Sequence, residues 1–120
     1  KSSPAGDAVS TAPDMVRFAQ ALLNGTILQR TTWAAFRVPR NSMVAPPGLP
    51  AMQLGLGFMV IEGNQCTAIG HTGGTAGATT LLLMEPQSGL IAVLLTNVDR
   101  MQHGPVSRLL MRTWIDDRFY

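Results

Sequence analysis

Ala78-Thr79-Thr80-Leu81-Leu82-Leu83-Met84, then Glu85-Pro86-Gln87-Ser88-Gly89, then Leu90-Ile91-Ala92-Val93-Leu94-Leu95-Thr96-Asn97, is the stretch that sets the fold class. Two runs of β-branched and aliphatic residues flank a cluster of turn formers, the pattern of two strands joined by a tight connection. So short a connection permits antiparallel pairing only. Both runs are nearly all apolar, which predicts that both faces of the hairpin are covered, by helices.

Upstream, the spacing predicts two more strands. Gly55–Glu62 is the first, Gly63-Asn64 is a turn pair suited to positive φ, and Thr67–Thr72 is the second. With Ala78–Met84 and Leu90–Asn97 they make an antiparallel meander. Nearer the N-terminus, Thr11-Ala12-Pro13-Asp14 combines an N-cap, a first-turn proline and an acid placed for the helix dipole. Met15, Phe18, Ala19 and Leu22 follow at helical spacing, and Asn24-Gly25 is the stop. A shorter helix is predicted over Thr31–Arg37, ended by Pro39, with Trp33 either in the core or on a substrate rim. Residues 39–50 contain four prolines, so this stretch reads as a loop without a regular element. Pro105 opens a terminal helix to about Asp117, with Val106, Leu109, Leu110 and Ile115 on its buried side. The fold class is α+β: an antiparallel meander flanked by N- and C-terminal helices.

Composition narrows the function. The chain has 120 residues, one domain's worth, with 46% hydrophobic and 13% charged residues; roughly 25% charged is usual. This excludes intrinsic disorder. With a mean hydropathy of +0.17, it predicts more apolar surface than the chain hides alone. Lys1 is the only lysine, and the arginines are spread without a basic run, which argues against nucleic-acid binding. Cys66 is solitary and reads as a small buried hydrophobe, so no disulfide and no cysteine metal site are expected. Met15, Met52, Met59, Met84, Met101 and Met111 read as core filler. The runs Thr80–Met84 and Leu90–Leu95 are too short for a membrane span. The opening Lys-Ser-Ser-Pro-Ala-Gly has no apolar leader core, and its abruptness leads us to expect a segment of a longer protein.

Gly70-His71-Thr72-Gly73-Gly74-Thr75-Ala76-Gly77 is where chemistry is expected. Small residues at a strand end let a substrate or another backbone approach closely, and their N–H groups suit an oxyanion hole. His71 is the nearby side chain able to exchange a proton near neutral pH. The structural alternative is a glycine-rich hairpin without catalytic duty.

Taken in order, Pro4-Ala5-Gly6 with Ser10–Met15 and Phe18–Gly25, then Gly55-Leu56-Gly57-Phe58, then Gly70–Gly74, then Leu81–Met84 through Val93–Asn97, the chain resembles the C-terminal part of the serine β-lactamase-like superfamily. That superfamily includes class C β-lactamases, D-Ala-D-Ala carboxypeptidases and related esterases. The resemblance implies a partial β-lactamase/transpeptidase-like fold. His71-Thr72-Gly73 corresponds to the family's Lys-Thr-Gly or His-Thr-Gly motif. It implies that His71 and Thr72 line the active site beside the nucleophile, and that the Gly74 N–H is one oxyanion-hole donor, with Gly73 beside it. Histidine in place of lysine removes a permanent cation that would grip a substrate carboxylate, which favours the esterase-like branches. Asn97 and Arg100, just past a strand end, either bind a carboxylate or are exposed structural residues.

Two family motifs are missing from this sequence. The nucleophile's Ser-x-x-Lys cannot occur because Lys1 is the only lysine, and Tyr-x-Asn cannot occur because Tyr120 is the last residue. The expectation is a fragment that carries half an active site and is inactive alone. Its parent would hydrolyse a small-molecule ester, β-lactam or peptide amide through an acyl-serine, without a cofactor or metal. The alternatives are a non-catalytic β-lactamase-like binding or assembly module, or one piece of a split enzyme. The resemblance further implies a periplasmic or secreted parent. It also implies an unpaired edge at Leu90–Asn97, through which copies would associate or swap strands.

Overall fold

The computed structural model describes Gly6, residues 8–44, 51–63 and 65–98, and Val106 and Leu109. Helix α1 (Ala12–Leu23) begins where its cap dictates. Thr11 is extended, and its Oγ1 accepts from the Asp14 N–H at 3.3 Å while donating to the Asp14 carboxylate at 2.9 Å. Arg17 pairs with the other carboxylate oxygen at 2.5 Å. The Thr11 hydrogen bond first, and Arg17 second, hold the Asp14 carboxyl below its ordinary range. Asn24 ends the helix, its N–H reaching the Gln20 carbonyl at 2.9 Å. The inward face is Ala19 and Leu22, with Met15 and Leu23 packed against the same cluster. Phe18 is 40% exposed. At about 100° per residue it falls at the border of the stripe centred on Ala19 and Leu22.

Helix α2 (Arg30–Phe36) follows, and then strands β1 (Asn41–Met43), β2 (Met52–Leu54), β3 (Met59–Glu62), β4 (Thr67–Thr75), β5 (Ala78–Glu85) and β6 (Leu90–Thr96). They form one six-stranded sheet in the order β1-β2-β3-β4-β5-β6, with every pair antiparallel. The meander is therefore as expected, and two further strands extend it. Residues 41–43 were expected to be loop. The prolines at 39, 46, 47 and 50 flank this short strand instead of interrupting it. The single strand expected over Gly55–Glu62 is divided. Gly57 has φ +75°, which no extended strand accommodates, and the Gly55 N–H closes on the Phe58 carbonyl at 2.8 Å.

Opposed residues of an antiparallel pair share a face, so the register assigns the two sides. On one face Ile69, Leu82 and Met84 join Ala19, Leu22 and Trp33 in a buried cluster; this is the helix face. The opposite face carries Ile61, Cys66, Ala68, Leu81 and Leu83, all buried. Cys66, Met59 and Met84 are core residues as expected, and Trp33, only 5% exposed, belongs to the core and not to a rim. Strand β5 is covered on both faces from Leu81 to Glu85. Strand β6 is only half-buried, and among the described residues β5 is its single strand neighbour.

Glu85, expected within the turn, is the last residue of β5 and is buried. Its carboxylate accepts from the backbone N–H groups of Gln87 (3.0 Å) and Ser88 (2.6 Å), which fixes the β5–β6 connection. The terminal helix expected from Pro105 lies largely outside the described residues, as do Met101, Met111 and the turn residue Asn64. Val106 and Leu109 are helical, but Leu109 is exposed where burial was expected. Its spacing from Val106 marks a shared side of a helix; it does not say that a neighbour covers that side.

Candidate functional site

Strand β4 carries the site, and its two halves have different surroundings. Thr67–Gly70 pairs with β3 on one side and β5 on the other, whereas His71–Thr75 pairs with β5 alone. The missing neighbour follows from the bend at residues 55–58, which makes β3 start only at Met59, opposite Gly70. Past that point one edge of β4 is uncovered among the described residues.

The register also says which backbone groups meet this edge. Gly63 N–H donates to the Cys66 carbonyl at 2.9 Å, so Cys66 turns its backbone polar groups toward β3's side. Antiparallel pairs alternate, hence Ala68 and Gly70 turn their N–H and C=O toward β3. Thr72 and Gly74, of the same parity, turn theirs the same way, into the uncovered edge. His71, Gly73 and Thr75 face β5. The Gly74 N–H is thus an in-plane donor on an open strand edge, the geometry an oxyanion-hole donor needs.

Side chains alternate in the other sense. His71 lies opposite Leu82 and so stands on the helix face; Thr72 lies opposite Leu81 and stands on the opposite face. The two residues expected to line one site therefore project from opposite sides of the strand. His71 is exposed, and its Nδ1 lies 2.5 Å from the Thr72 carbonyl oxygen. A carbonyl only accepts, so a hydrogen bond here has Nδ1 as its donor. The Thr72 group that meets the imidazole is therefore its backbone carbonyl.

The glycines divide by steric need. A Cβ on Gly70 would stand 1.9 Å from the Leu82 carbonyl oxygen, and one on Gly73 would stand 2.5 Å from Thr80 Oγ1. On Gly74 it would meet nothing within 4 Å. The first two are demanded by close approach of β5. Nothing described in the chain itself demands the third.

Asn97 is exposed just beyond β6. Thr96 lies opposite Thr79, which lies opposite Gly74, so Asn97 stands at the Gly74 end of the sheet but two strands away. That is about 10 Å across the sheet. Thr79 Oγ1 donating to the Val98 carbonyl (2.8 Å) and Thr96 Oγ1 to the Thr79 carbonyl (3.0 Å) tie this bend down. Arg100 lies outside the described residues.

An aromatic group lies beside the start of β3, where Trp33 had been read as core or substrate rim. Phe58, immediately before β3, packs edge-on against Trp33 (centroids 5.3 Å) and Phe36 (6.4 Å). The Arg37 guanidinium carbon lies 5.7 Å from the Trp33 ring centroid. The signal was in the sequence, since Trp33 and Arg37 are four residues apart and such positions meet on a helix. Among the described residues no cluster of His, Cys, Asp and Glu suits a metal ion, and no helix is long and apolar enough to cross a membrane.

Comparison with known proteins bears on this arrangement. The family model described as Beta-lactamase matches residues 1–112. The structure is similar to a penicillin binding protein from Bacillus halodurans, at 18% identity and TM-score 0.69, covering 83% of this chain and 30% of that one. It is similar to a D-stereospecific amidohydrolase from Streptomyces sp., at 23% identity and TM-score 0.68, covering 88% of this chain and 30% of that one. It is also similar to the D-amino acid amidase from Ochrobactrum anthropi SV3, at 26% identity and TM-score 0.62, covering 84% of this chain and 35% of that one. The chain thus spans 30–35% of the length of these three. It matches no curated protein.

Proposed function

Because the chain belongs to the beta-lactamase family, we propose that it is the C-terminal segment of a serine hydrolase that cleaves a small ester or amide through an acyl-serine. The observation that carries this reading is the uncovered half of β4, where the Gly74 N–H and the His71 imidazole share one edge. In the proposed reaction the substrate carbonyl lies along this edge as the remaining strand neighbour. Gly74 N–H donates to its oxygen as negative charge develops there. His71, through Nε2, accepts or returns a proton at the reacting oxygen. The attacking serine comes from outside this sequence, which contains no serine followed three residues later by lysine. The chain alone therefore binds but does not turn over substrate.

The test is to express the intact protein and treat it with a fluorophosphonate or a labelled penicillin. Labelling of one serine upstream of Lys1 is expected. A folded, unlabelled protein would sink the reading and leave the alternative of a non-catalytic module of the same fold. Mixing this chain with the complementary N-terminal part and recovering esterase activity would identify a split enzyme.

A further inference from the structure

We infer that Thr80 and Leu95 set the specificity of this site, seating an uncharged aliphatic group of the ligand across the sheet beside His71. The register carries the argument. Gly73 lies opposite Thr80 and Thr80 opposite Leu95, so the three form one row across β4, β5 and β6. The adjacent row is His71, Leu82 and Val93, and both rows stand on the helix face. The row of Thr80 thus starts on β4 where its other edge is uncovered and runs across two strand spacings, about 10 Å.

Cover ends between the two rows. Leu82 is buried, and Val93 packs against the cluster that holds Ala19, Leu22 and Trp33. One row further along, Gly73 and Thr80 are half-buried, and Leu95 is the one exposed residue of β6. Leu95 therefore continues the apolar face past the point where it is covered. Beyond Gly73, Thr75 shares the same face, and a Cβ on Gly6 would stand 3.0 Å from Thr75 Cγ2. The backbone at Gly6 and the Thr75 side chain thus bound the row on its outer side.

The Thr80 hydroxyl is turned toward β4. A Cβ on Gly73 would stand 2.5 Å from Thr80 Oγ1, so the hydroxyl lies over the bare backbone of Gly73. Thr79, on the opposite face, donates to the Val98 carbonyl, whereas no hydrogen bond holds the Thr80 hydroxyl. It is free to donate to a ligand or accept from one. Apart from His71, neither row nor the Thr75–Ala78 pair beyond them contains an ionisable residue. A charged group seated here would give up water without a counter-charge. An uncharged chain instead gains a hydrogen bond at Thr80 and apolar contact at Leu95. The class so defined is a neutral ester or amide with an aliphatic chain of several carbons. This inference deepens the proposed function by naming a substrate class, and it rests on that reading for the reaction but not for binding.

The experiment titrates the intact protein with hexanamide, acetamide and 6-aminohexanamide, following the Thr80 and Leu95 methyl signals by NMR. Hexanamide is expected to give saturable shifts at both residues. Acetamide, which lacks the chain, and 6-aminohexanamide, which ends in a cation, are each expected to bind at least about tenfold more weakly. Thr80→Val keeps the shape and removes the hydroxyl, so hexanamide affinity should fall about fivefold, while Thr80→Ser should retain it. Leu95→Ser, at an exposed position, should weaken hexanamide about tenfold and leave acetamide unchanged. Equal affinity for hexanamide and 6-aminohexanamide would overturn the inference. So would unchanged hexanamide affinity in Thr80→Val or Leu95→Ser, or the absence of saturable shifts at Thr80 and Leu95. Should Thr80→Val not fold, the three ligands and Leu95→Ser decide the question alone. Binding of hexanamide without serine labelling of the intact protein would remove the proposed reaction and leave this seat standing; labelling without the hexanamide response would do the reverse.

Discussion

Three glycines of β4 separate the demands of folding from those of function when each is replaced by alanine. At Gly70 the new methyl would lie 1.9 Å from the Leu82 carbonyl oxygen and 2.9 Å from Leu83 Cα. Both neighbours are backbone in the central ladder, so β4 and β5 must separate by more than an ångström to reach ordinary contact. Overpacking of this kind costs about 1–3 kcal/mol, with the upper end expected where backbone must move. At Gly73 the obstacle is Thr80 Oγ1 at 2.5 Å, the end of a side chain that can rotate. The cost there is about 0.5–1.5 kcal/mol, that of a displaced rotamer. At Gly74 the methyl meets nothing within 4 Å. Its main effect is on the unfolded chain, a gain of about 0.4–1 kcal/mol. At about 4 °C per kcal/mol, thermal unfolding followed by circular dichroism should place the variants in the order Gly74→Ala, unsubstituted chain, Gly73→Ala, Gly70→Ala. If the intact protein is the proposed hydrolase, the order inverts for Gly74→Ala in activity: the methyl crowds the approach to the N–H, and kcat/KM should fall by about 10²-fold. A Gly74→Ala chain as unstable as Gly70→Ala would refute the reasoning, because it would mean that the fold itself requires that glycine.

Further outcomes are expected. Glu85→Ala leaves the Gln87 and Ser88 amides without their acceptor; a loss of about 1–3 kcal/mol in urea denaturation is expected, and a loss below measurement error would count against the buried carboxylate as the turn's anchor. Thr11→Ala removes the α1 cap, with a loss of about 1 kcal/mol, and raises the Asp14 pKa toward its ordinary value, which an NMR titration of the carboxyl reads directly. Since folding lowers that pKa, the Asp14 contribution is present above the unfolded carboxyl pKa and is lost as pH falls through the folded one; urea midpoints of the unsubstituted chain should fall across this acidic window more than those of Thr11→Ala. On the proposed function, His71→Phe in the intact protein should lower kcat by about 10²–10⁴-fold with a smaller change in KM, and an unchanged kcat would remove the proton-transfer role. Purified alone, the chain should self-associate through β6, and Leu95→Lys, at an exposed position of that strand, should shift light scattering toward the monomer; a clean unsubstituted monomer at high concentration would contradict this.

How much was legible follows from which signals are local. The α1 boundaries were written in Thr11 and Asn24, because caps act on backbone groups a few residues away. The β4–β5 and β5–β6 hairpins were legible because long apolar runs and turn formers coincide there. Strands β1 and β2 were not, since three residues carry no measurable alternation. The Gly55–Phe58 bend lay inside an apolar stretch that reads as a strand until the φ of Gly57 is known. Glu85 looked like a turn residue because charge suggests solvent, yet two backbone donors make its burial favourable. At the site, the motif around His71 was visible as a pattern, and the opposite placement of His71 and Thr72 already followed from reading Thr67–Thr72 as a strand, which the resemblance to one shared site obscured. The Arg37–Trp33 pair needed no tertiary information, only attention to helical spacing.

Strand order that follows chain order has a kinetic meaning. Every ladder in this sheet joins consecutive strands, so no pairing waits for a distant part of the chain to arrive. Loop-closure entropy is then small at each step, and the β3–β6 hairpins can zip one from another outward from the long β4–β5 ladder. Such a sheet is expected to fold on the millisecond scale or faster. The helices α1 and α2, made first, then dock on a face that is already in place.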